Sequence, residues 1–327
     1  MSAPVARAEL IEDRGEAAVS DEFFRSRPFL DAEGVTHTLR IDAGEAILLA
    51  PLILREIPVR SYFPPDSGGK YDRSLRDAIS PYGYPGIAAP GGTQIDPEAV
   101  DFSATGLVSA FIRHTLAEPP PLSGVSERNV VQIADPELPR KSRPSDRNQV
   151  NRNRRAGYEV RIVPGPEATP EQRSGFLAAY EQTMRRTGAA ERYFFAAAYF
   201  DRILESPRAW LALALAPGSE VAAASIAVHS DGFLHYYLSG SADATLRDSP
   251  MKNVVAALVD FSSELGLPLN LGGGISPGDR LEEFKRGFAN RERPWRTSEI
   301  VCDPAAYANL SAGRAPAEFF PLYRAPS

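Results

Sequence analysis

Trp210-Leu-Ala-Leu-Ala-Leu-Ala-Pro-Gly-Ser-Glu-Val-Ala-Ala-Ala-Ser-Ile-Ala-Val-His-Ser-Asp-Gly-Phe-Leu-His-Tyr-Tyr-Leu238 decides the fold class. Three short apolar runs are separated by Pro217-Gly218 and Asp231-Gly232. Asp-Gly between apolar runs is a strong two-residue hairpin signal, because both turn positions need positive φ. The stretch therefore predicts a three-strand meander at 210–216, 221–229 and 233–238.

Upstream, Thr169-Pro170-Glu171-Gln172 reads as a capping box with proline at the first helical position. Phe176, Leu177, Tyr180 and Met184 follow at helical spacing and carry that helix to about residue 187. Downstream, Ser249-Pro250 opens a helix whose apolar face is Val254, Val255, Leu258 and Phe261 or Val259, and Gly266 ends it. A short strand at 267–271, a helix at 279–288 and a last strand at 298–303 complete this half. The first half echoes it faintly. A hairpin is expected from 35–41 and 46–54, with strands near 60–63 and 86–89, a helix at 97–116 and a strand at 129–133. Ala117-Glu-Pro-Pro-Pro-Leu-Ser-Gly124 is the most linker-like stretch. The expected organisation is α+β, with two similar units in tandem at 1–130 and 131–327. Each is a mixed, mostly antiparallel sheet flanked by helices.

The 327 residues are 43% hydrophobic and 24% charged, an ordinary globular composition that excludes full-length disorder, collagen and coiled coil. Cys302 is the single cysteine, so neither an internal disulfide nor a cysteine-rich zinc site is available. His37, His114, His229 and His235 are scattered, and no metal site is expected. No apolar run approaches the roughly 18 residues of a membrane span, and the opening residues lack a signal-peptide core. A cytoplasmic setting is the expectation. Net charge is −6, which argues against a dedicated DNA binder, yet residues 140–186 hold eleven Arg and Lys against five acids. A local basic stripe on an acidic body suits a polyanion met at one place.

Several features could carry chemistry. Ser249, Pro250 and Lys252 at a helix start could hold an anion, or form an ordinary cap beside a solvated lysine. Gly272, Gly273 and Gly274 after a strand allow positive φ and close approach, or a loose turn. Leu281, Phe284 and Phe288 line one helix face, with Lys285 at its margin. There an ammonium could stabilise a developing oxyanion, or simply snorkel. Arg147, Arg152, Arg154 and Arg155 stand among amides with almost no apolar content, as phosphate donors or as a solvated helix or loop. Tyr82 and Tyr84, between turn formers, could line a cleft or cover a core edge. Cys302, far in sequence from any histidine, reads as an inert buried thiol.

Taken in order, Arg154-Arg155 before Gly157-Tyr-Glu-Val160, Tyr180-x-x-Thr183-Met184-x-Arg186, Tyr193-Phe194, Tyr236-Tyr237-Leu238-Ser239-Gly240-Ser241, Leu271-Gly-Gly-Gly274 and Phe284-Lys285-x-Gly287-Phe288 resemble the FemABX branch of the GNAT acyltransferase superfamily. Pro81-Tyr82-Gly83-Tyr84 adds to the likeness, which spans about residues 80–310. The resemblance implies two tandem GNAT-like domains and transfer of an aminoacyl group from aminoacyl-tRNA to an amine. That amine would belong to a peptidoglycan precursor or to an intermediate of a peptidyl or nucleoside antibiotic. It also implies that Lys285 steadies the tetrahedral intermediate, and that Arg186, Tyr236 and Phe284 join the residues above around the substrate. Aminoacyl-tRNA would be a co-substrate, with no bound cofactor. The long coiled-coil insertion of some members is missing. The acetyl-CoA loop (R/Q)xxGx(G/A) is not recognisable before Ser249, which weakens coenzyme A as the donor. Two alternatives stay open: an acyl-CoA-dependent N-acyltransferase, and a non-catalytic GNAT-like binding protein.

Overall fold

The computed structural model describes residues 6–58 and 74–325. By internal contacts it divides into two compact units. One comprises Met1–Ser20, Glu33–Arg128 and Trp295–Ser327; the other comprises Asp21–Ala32 and Asn129–Pro294. Where the sequence suggested one boundary near 130, the structure also returns the C-terminal stretch to the first unit and lends a short early segment to the second.

The first unit is built on β1 (Ala6–Ile11), β2 (His37–Asp42), β3 (Ile47–Glu56), β4 (Arg76–Ile79), β5 (Val100–Asp101), β6 (Ser109–Arg113) and the later part of β13 (Arg291–Val301). Their order is β5-β1-β2-β3-β4-β6-β13. The β1–β5 and β4–β6 pairs are parallel and the rest antiparallel. Leu39, Ile41, Leu48, Ala50, Leu52, Ala110 and Ile112 form its core. The hairpin expected from 35–54 is present as β2–β3. The strand expected near 60–63 lies outside the described residues.

The helix expected at 97–116 does not form. Pro97–Ala99 and Ser103–Thr105 make single 3-10 turns, with β5 between them and β6 after. Asp96 does cap a helical start, accepting from the Glu98 N–H at 3.0 Å. That turn ends at Val100, which is already extended, Gly106 at φ +63° ends the second turn, and Ala110, Ile112 and His114 bury alternate positions as a strand does. The strand expected at 86–89 reduces to one bridge between Ala88 and Leu49. The last strand begins at Arg291, seven residues earlier than expected, and ends at Val301. A helix α7 (Pro304–Ser311) follows it, unanticipated.

The second unit contains α1 (Arg27–Ala32), β7 (Ser126–Ala134, mostly within it), α2 (Pro144–Arg155), β8 (Glu159–Pro164), α3 (Pro170–Arg186), α4 (Ala197–Leu204), β9 (Ala209–Leu215), β10 (Val221–Ser230), β11 (Phe233–Ser241), α5 (Met251–Glu264), β12 (Leu269–Gly272) and α6 (Arg280–Arg286). The strand order is β7-β12-β11-β10-β9-β8, antiparallel except for β11–β12. The meander forms as expected, and its Asp231-Gly232 turn has φ +50° and +77°, the geometry of a type I′ hairpin. The capping box at Thr169 is complete in both directions. The sequence reading missed α1, α4, β1 and β8.

An irregularity in register between Ile226 and Ala227, which face Leu238 and Tyr236, leaves Tyr237 as the extra residue of a bulge in β11. The face therefore changes in mid-strand. Leu234 and Tyr236 join the core beneath α5. Gly240 faces α3 instead, where a Cβ would lie 2.4 Å from the Ala179 carbonyl oxygen. Beyond the bulge β11 also parts from β12, which it pairs only at Leu234–Leu269 and His235–Asn270. The chain thus builds a sheet that opens between the C-terminal ends of two parallel strands.

Candidate active site in the second unit

The end of β12 is where that opening meets α6. Gly272 sits at φ +76°, and a Cβ there would lie 3.1 Å from the Lys285 ammonium. A Cβ on Gly273 would strike Asn129 and the Val130 carbonyl at 2.7 Å, and one on Gly274 the Asp279 carboxylate at 2.5 Å. The three glycines thus serve close approach rather than a loose turn. Asp279 caps α6, accepting from Glu282 N–H at 2.8 Å, and also from Ile275 N–H at 2.7 Å and Ser276 N–H at 3.0 Å. Those backbone donors hold its carboxyl below the usual carboxylate range.

Lys285 is buried, 8% exposed, and its Nζ donates to the Gly273 carbonyl at 2.6 Å. Burial lowers its pKa to about 8, a shift that Asp279 only partly opposes. The expectation for this helix needs correction. Leu281 is exposed at 39%, and the buried positions are Glu282 and Lys285, so the lysine occupies the inner face instead of its margin. Phe284 packs edge-on to Phe288 with centroids 5.7 Å apart, at the border of the core.

α2 lies next to α6. The Arg143 N–H donates to the Gly287 carbonyl at 3.3 Å, and a Cβ on Gly287 would be 2.6 Å from the Asp146 carboxylate. Asp146, Val150 and Asn153 make the buried stripe of α2, the i, i+4, i+7 spacing of one helix face. Asn153 donates to the Asp248 carbonyl at 2.8 Å and to Asn253 Oδ1 at 2.7 Å, and Gln149 reaches the same carbonyl at 3.0 Å. Tyr158 donates to the Asp248 carboxylate at 2.7 Å; burial first, then that carboxylate, pushes its hydroxyl up to about 12.

This packing changes the reading of the α5 start. Ser249 adopts φ +48° and makes no side-chain cap, and Pro250 takes the cap position in helical conformation. Lys252 is not solvated: it pairs with Asp146 at 2.9 Å. The expected open anion cradle of Ser249 and Lys252 is therefore filled by a carboxylate of the protein itself.

Arg147, Arg152, Arg154 and Arg155 are all exposed on α2. Arg147 donates to the Ser142 carbonyl; the other three have no ion-pair partner among the described residues. They stand about 9–14 Å further along the helix than Asp146, at 1.5 Å per residue. Arg186 is held by Asp243, by Thr183 Oγ1 at 3.0 Å and by the Ser241 carbonyl at 3.4 Å, so it fastens α3 to the end of β11. Tyr236 donates to Ser239 Oγ at 2.6 Å, and burial pushes its hydroxyl up to about 12. Tyr82 and Tyr84 belong to the first unit. There the Tyr82 N–H donates to Glu33 at 2.8 Å and the Tyr84 ring meets Trp295 at 6.4 Å.

The structure thus gathers Lys285, Gly273 and Phe284 at one end of β12, with Lys252 and the arginine helix packed beside them. Buried Asp146, Asn153 and Asn253 have no counterpart in the sequence reading; isolated polar residues give no sequence signal until burial is known. Cys302 is half-buried against the first unit's core, and desolvation pushes its thiol up to about 12, away from the reactive thiolate. Among the described residues no three metal-binding side chains cluster, and no helix is long and apolar enough to cross a membrane.

A family model described as "Acetyltransferase (GNAT) domain" matches residues 140–286, from the start of α2 to the end of α6. This segment is similar to the GNAT domain of acyltransferases. Among solved structures, FemX aligns over 82% of this chain and 88% of its own at 11% identity, with a TM-score of 0.53. The C-terminal domain of an Agrobacterium fabrum protein assigned as a lysylphosphatidylglycerol synthetase aligns over 90% and 92% at 11% identity, with a TM-score of 0.50. These likenesses extend the shared fold beyond the GNAT domain and make the chain FemX-like in architecture. A comparison with curated proteins gave no match.

Proposed function

We propose that the chain is an aminoacyltransferase that carries an aminoacyl group from the 3′ end of aminoacyl-tRNA to an amine acceptor and forms an amide. The observation that carries this reading is Lys285, a buried ammonium whose one hydrogen bond among the described residues is to Gly273, at the mouth of the opening between β11 and β12. Burying a charge is costly, and a binding scaffold has no use for one there.

An aminoacyl ester is already activated, so aminolysis needs alignment and stabilisation of one oxyanion. The amine nitrogen bonds to the carbonyl carbon, the ester C–O bond breaks, and the ribose oxygen leaves. The amine's proton reaches that oxygen through the neighbouring ribose hydroxyl or the terminal phosphate. Lys285 supplies the oxyanion partner, worth roughly 3 kcal/mol, and positioning supplies several more. The exposed guanidiniums of Arg152, Arg154 and Arg155, with Arg147, grip RNA phosphates. The α5 start supports an RNA-borne donor over coenzyme A, because Pro250 has no N–H and Asp146 already holds Lys252. Aminoacyl-tRNA places the reaction in the cytoplasm. The acceptor is a peptidoglycan precursor or a peptidyl natural-product intermediate.

A second reading, an acyl-CoA-dependent N-acyltransferase, is favoured by the description of the matching family. The test is a reconstituted reaction with tRNA charged with labelled amino acids and a panel of amines. Transfer of label that RNase treatment of the donor destroys, and that acyl-CoA does not restore, supports the proposal. Transfer from acyl-CoA alone overturns it in favour of the second reading.

A further inference from the structure

Gln132 of β7 is 1% exposed, and its Oε1 accepts no hydrogen bond from the described residues. Its orientation is determined, because Nε2 donates at 3.0 Å to Glu292 Oε1, and a carboxylate can only accept. The buried carbonyl oxygen is therefore left over on the other side of the amide. Such orphans are rare in folded chains and call for a reason.

The register says what lies near it. Gln132 is directly opposite Gly272 of β12, and opposed residues in an antiparallel pair share a sheet face with Cβ positions about 5 Å apart. Across the irregularity at Leu271, Ala134, two residues on from Gln132 and so on its face of β7, pairs with Leu269 in the core that Phe288 joins and Phe284 packs against. A Cβ on Gly272 would be 3.1 Å from Lys285 Nζ. Gln132 and Lys285 are therefore both neighbours of Gly272. An ammonium has three N–H donors, and Lys285 uses one of them, on Gly273. A buried cation with unused donors and a buried acceptor with none thus flank the same Gly272–Gln132 pair without touching.

We propose that Gln132 is the positioning residue of Lys285: its free amide oxygen is the acceptor that the ammonium takes up when it swings from the Gly273 carbonyl towards the reacting oxygen. Glu292 holds the amide in the receiving orientation, and Arg286 braces Glu292 at 3.5 Å and Glu282 from the next turn. Gln132 thereby keeps the lysine charged and aimed throughout the step, without touching substrate. The catalytic half of this inference rests on the proposed aminoacyl transfer, but the pairing itself does not. The charged groups packed around the pair are Asp279, Glu282 and Arg286 of α6 and Glu292 of β13. Arg143–Glu283 and Asp146–Lys252 lie one turn further off.

The test compares the full-length chain with Gln132→Met, which keeps the volume, and Gln132→Glu, which keeps the acceptor and adds charge. The first measurement is the pH dependence of Lys285 labelling by an amine-reactive acid anhydride, read by peptide mass spectrometry. It needs no substrate. The free amide oxygen near the resting ammonium favours its charged form by its dipole alone, so Gln132→Met should lower the titration midpoint by about half a pH unit, and the added charge of Gln132→Glu should raise it. The second measurement is turnover: Gln132→Met should lose about tenfold in kcat with KM within twofold, and Gln132→Glu should recover most of it. A midpoint unchanged in both variants, with melting temperatures showing them folded, overturns the pairing. Shifted midpoints with wild-type kcat overturn the catalytic role alone. A wild-type chain that transfers nothing from aminoacyl-tRNA, yet shows the shifted midpoints, sinks the proposed reaction and leaves the pairing standing.

Discussion

Lys285 Nζ lies 2.6 Å from the carbonyl oxygen of Gly273, twelve residues earlier in the chain and at the end of the neighbouring strand. That contact ties the helix carrying the cation to the strand bordering the opening in the sheet. It also sets a conflict between stability and chemistry, because the same burial that makes the ammonium strong towards an oxyanion makes it costly to fold.

Lys285→Met should therefore separate the two. Burial lowers the folded pKa to about 8 from the ordinary lysine value of 10.5. The unfolded chain thus holds the extra proton between those values, and stability rises with pH across that window. At pH 7 the cost is present in full, on the order of 3 kcal/mol. The variant should be more stable at pH 7 by up to that amount in urea unfolding, and gain nothing near pH 11. Turnover should fall at least a hundredfold with KM nearly unchanged, and the wild-type rate should decline above about pH 8 as the ammonium is lost. A variant that is less stable and equally active would remove Lys285 from the site.

The exposed face of α2 gives a salt-dependent prediction. Each phosphate neutralised on single-stranded RNA adds about 0.7 to the slope of log affinity against log salt. Replacing Arg152, Arg154 and Arg155 with alanine should make that slope shallower by about 2 for a tRNA acceptor-stem hairpin, while the melting temperature stays within a degree or two. An unchanged slope means the guanidiniums meet no RNA.

The fold of the second unit was legible because its signals are local. Asp231-Gly232 and Pro217-Gly218 set the meander, the Thr169 box sets α3, and Gly266 ends α5. The helix expected over 97–116 does not form because the start signal at Asp96-Pro97 carries one turn before the chain extends at Val100, Gly106 ends a second turn, and the strand pattern beyond is short. At the site, Lys285 could be picked out because it stands between two aromatics in a recognisable motif. Gln132 could not, because an unpartnered amide exists only once a strand register places it under Gly272. Lys252 was misjudged for the same reason: its partner Asp146 lies 106 positions away in sequence.

The seam between α2 and α5 depends on one amide. Asn153, 2% exposed, donates to both the Asp248 carbonyl and Asn253 Oδ1. Asn153→Leu leaves both acceptors buried without that donor, which should cost about 2–3 kcal/mol in urea unfolding. Because the Asp248 carbonyl sits at the entry to α5, hydrogen exchange at residues 243–250 should accelerate before the rest of the GNAT domain responds. A loss under 0.5 kcal/mol would show that water or Gln149 replaces the amide.

Acid sensitivity follows from two buried histidines. His235 Nε2 donates to the Ser230 carbonyl at 3.2 Å while its Nδ1 accepts from Asn270 at 3.0 Å, an arrangement open only to the neutral ring. Burial lowers its pKa to about 4. His114, paired with Ser298 at 2.7 Å, is lowered to about 4 as well, by burial and then by Arg296. Below the ordinary histidine value of 6.5 the unfolded chain binds protons that the folded chain refuses, so stability is whole above about pH 6.5 and is lost as pH falls towards 4. Each ring contributes on the order of 3 kcal/mol to that loss. His235→Gln can still donate to Ser230 and accept from Asn270, so it should fold at pH 7 and lose about one proton from the pH dependence of the unfolding free energy between pH 6.5 and 4. Equal slopes for the variant and the wild type would show that His235 is already protonated in the folded chain, against the hydrogen bonds it makes.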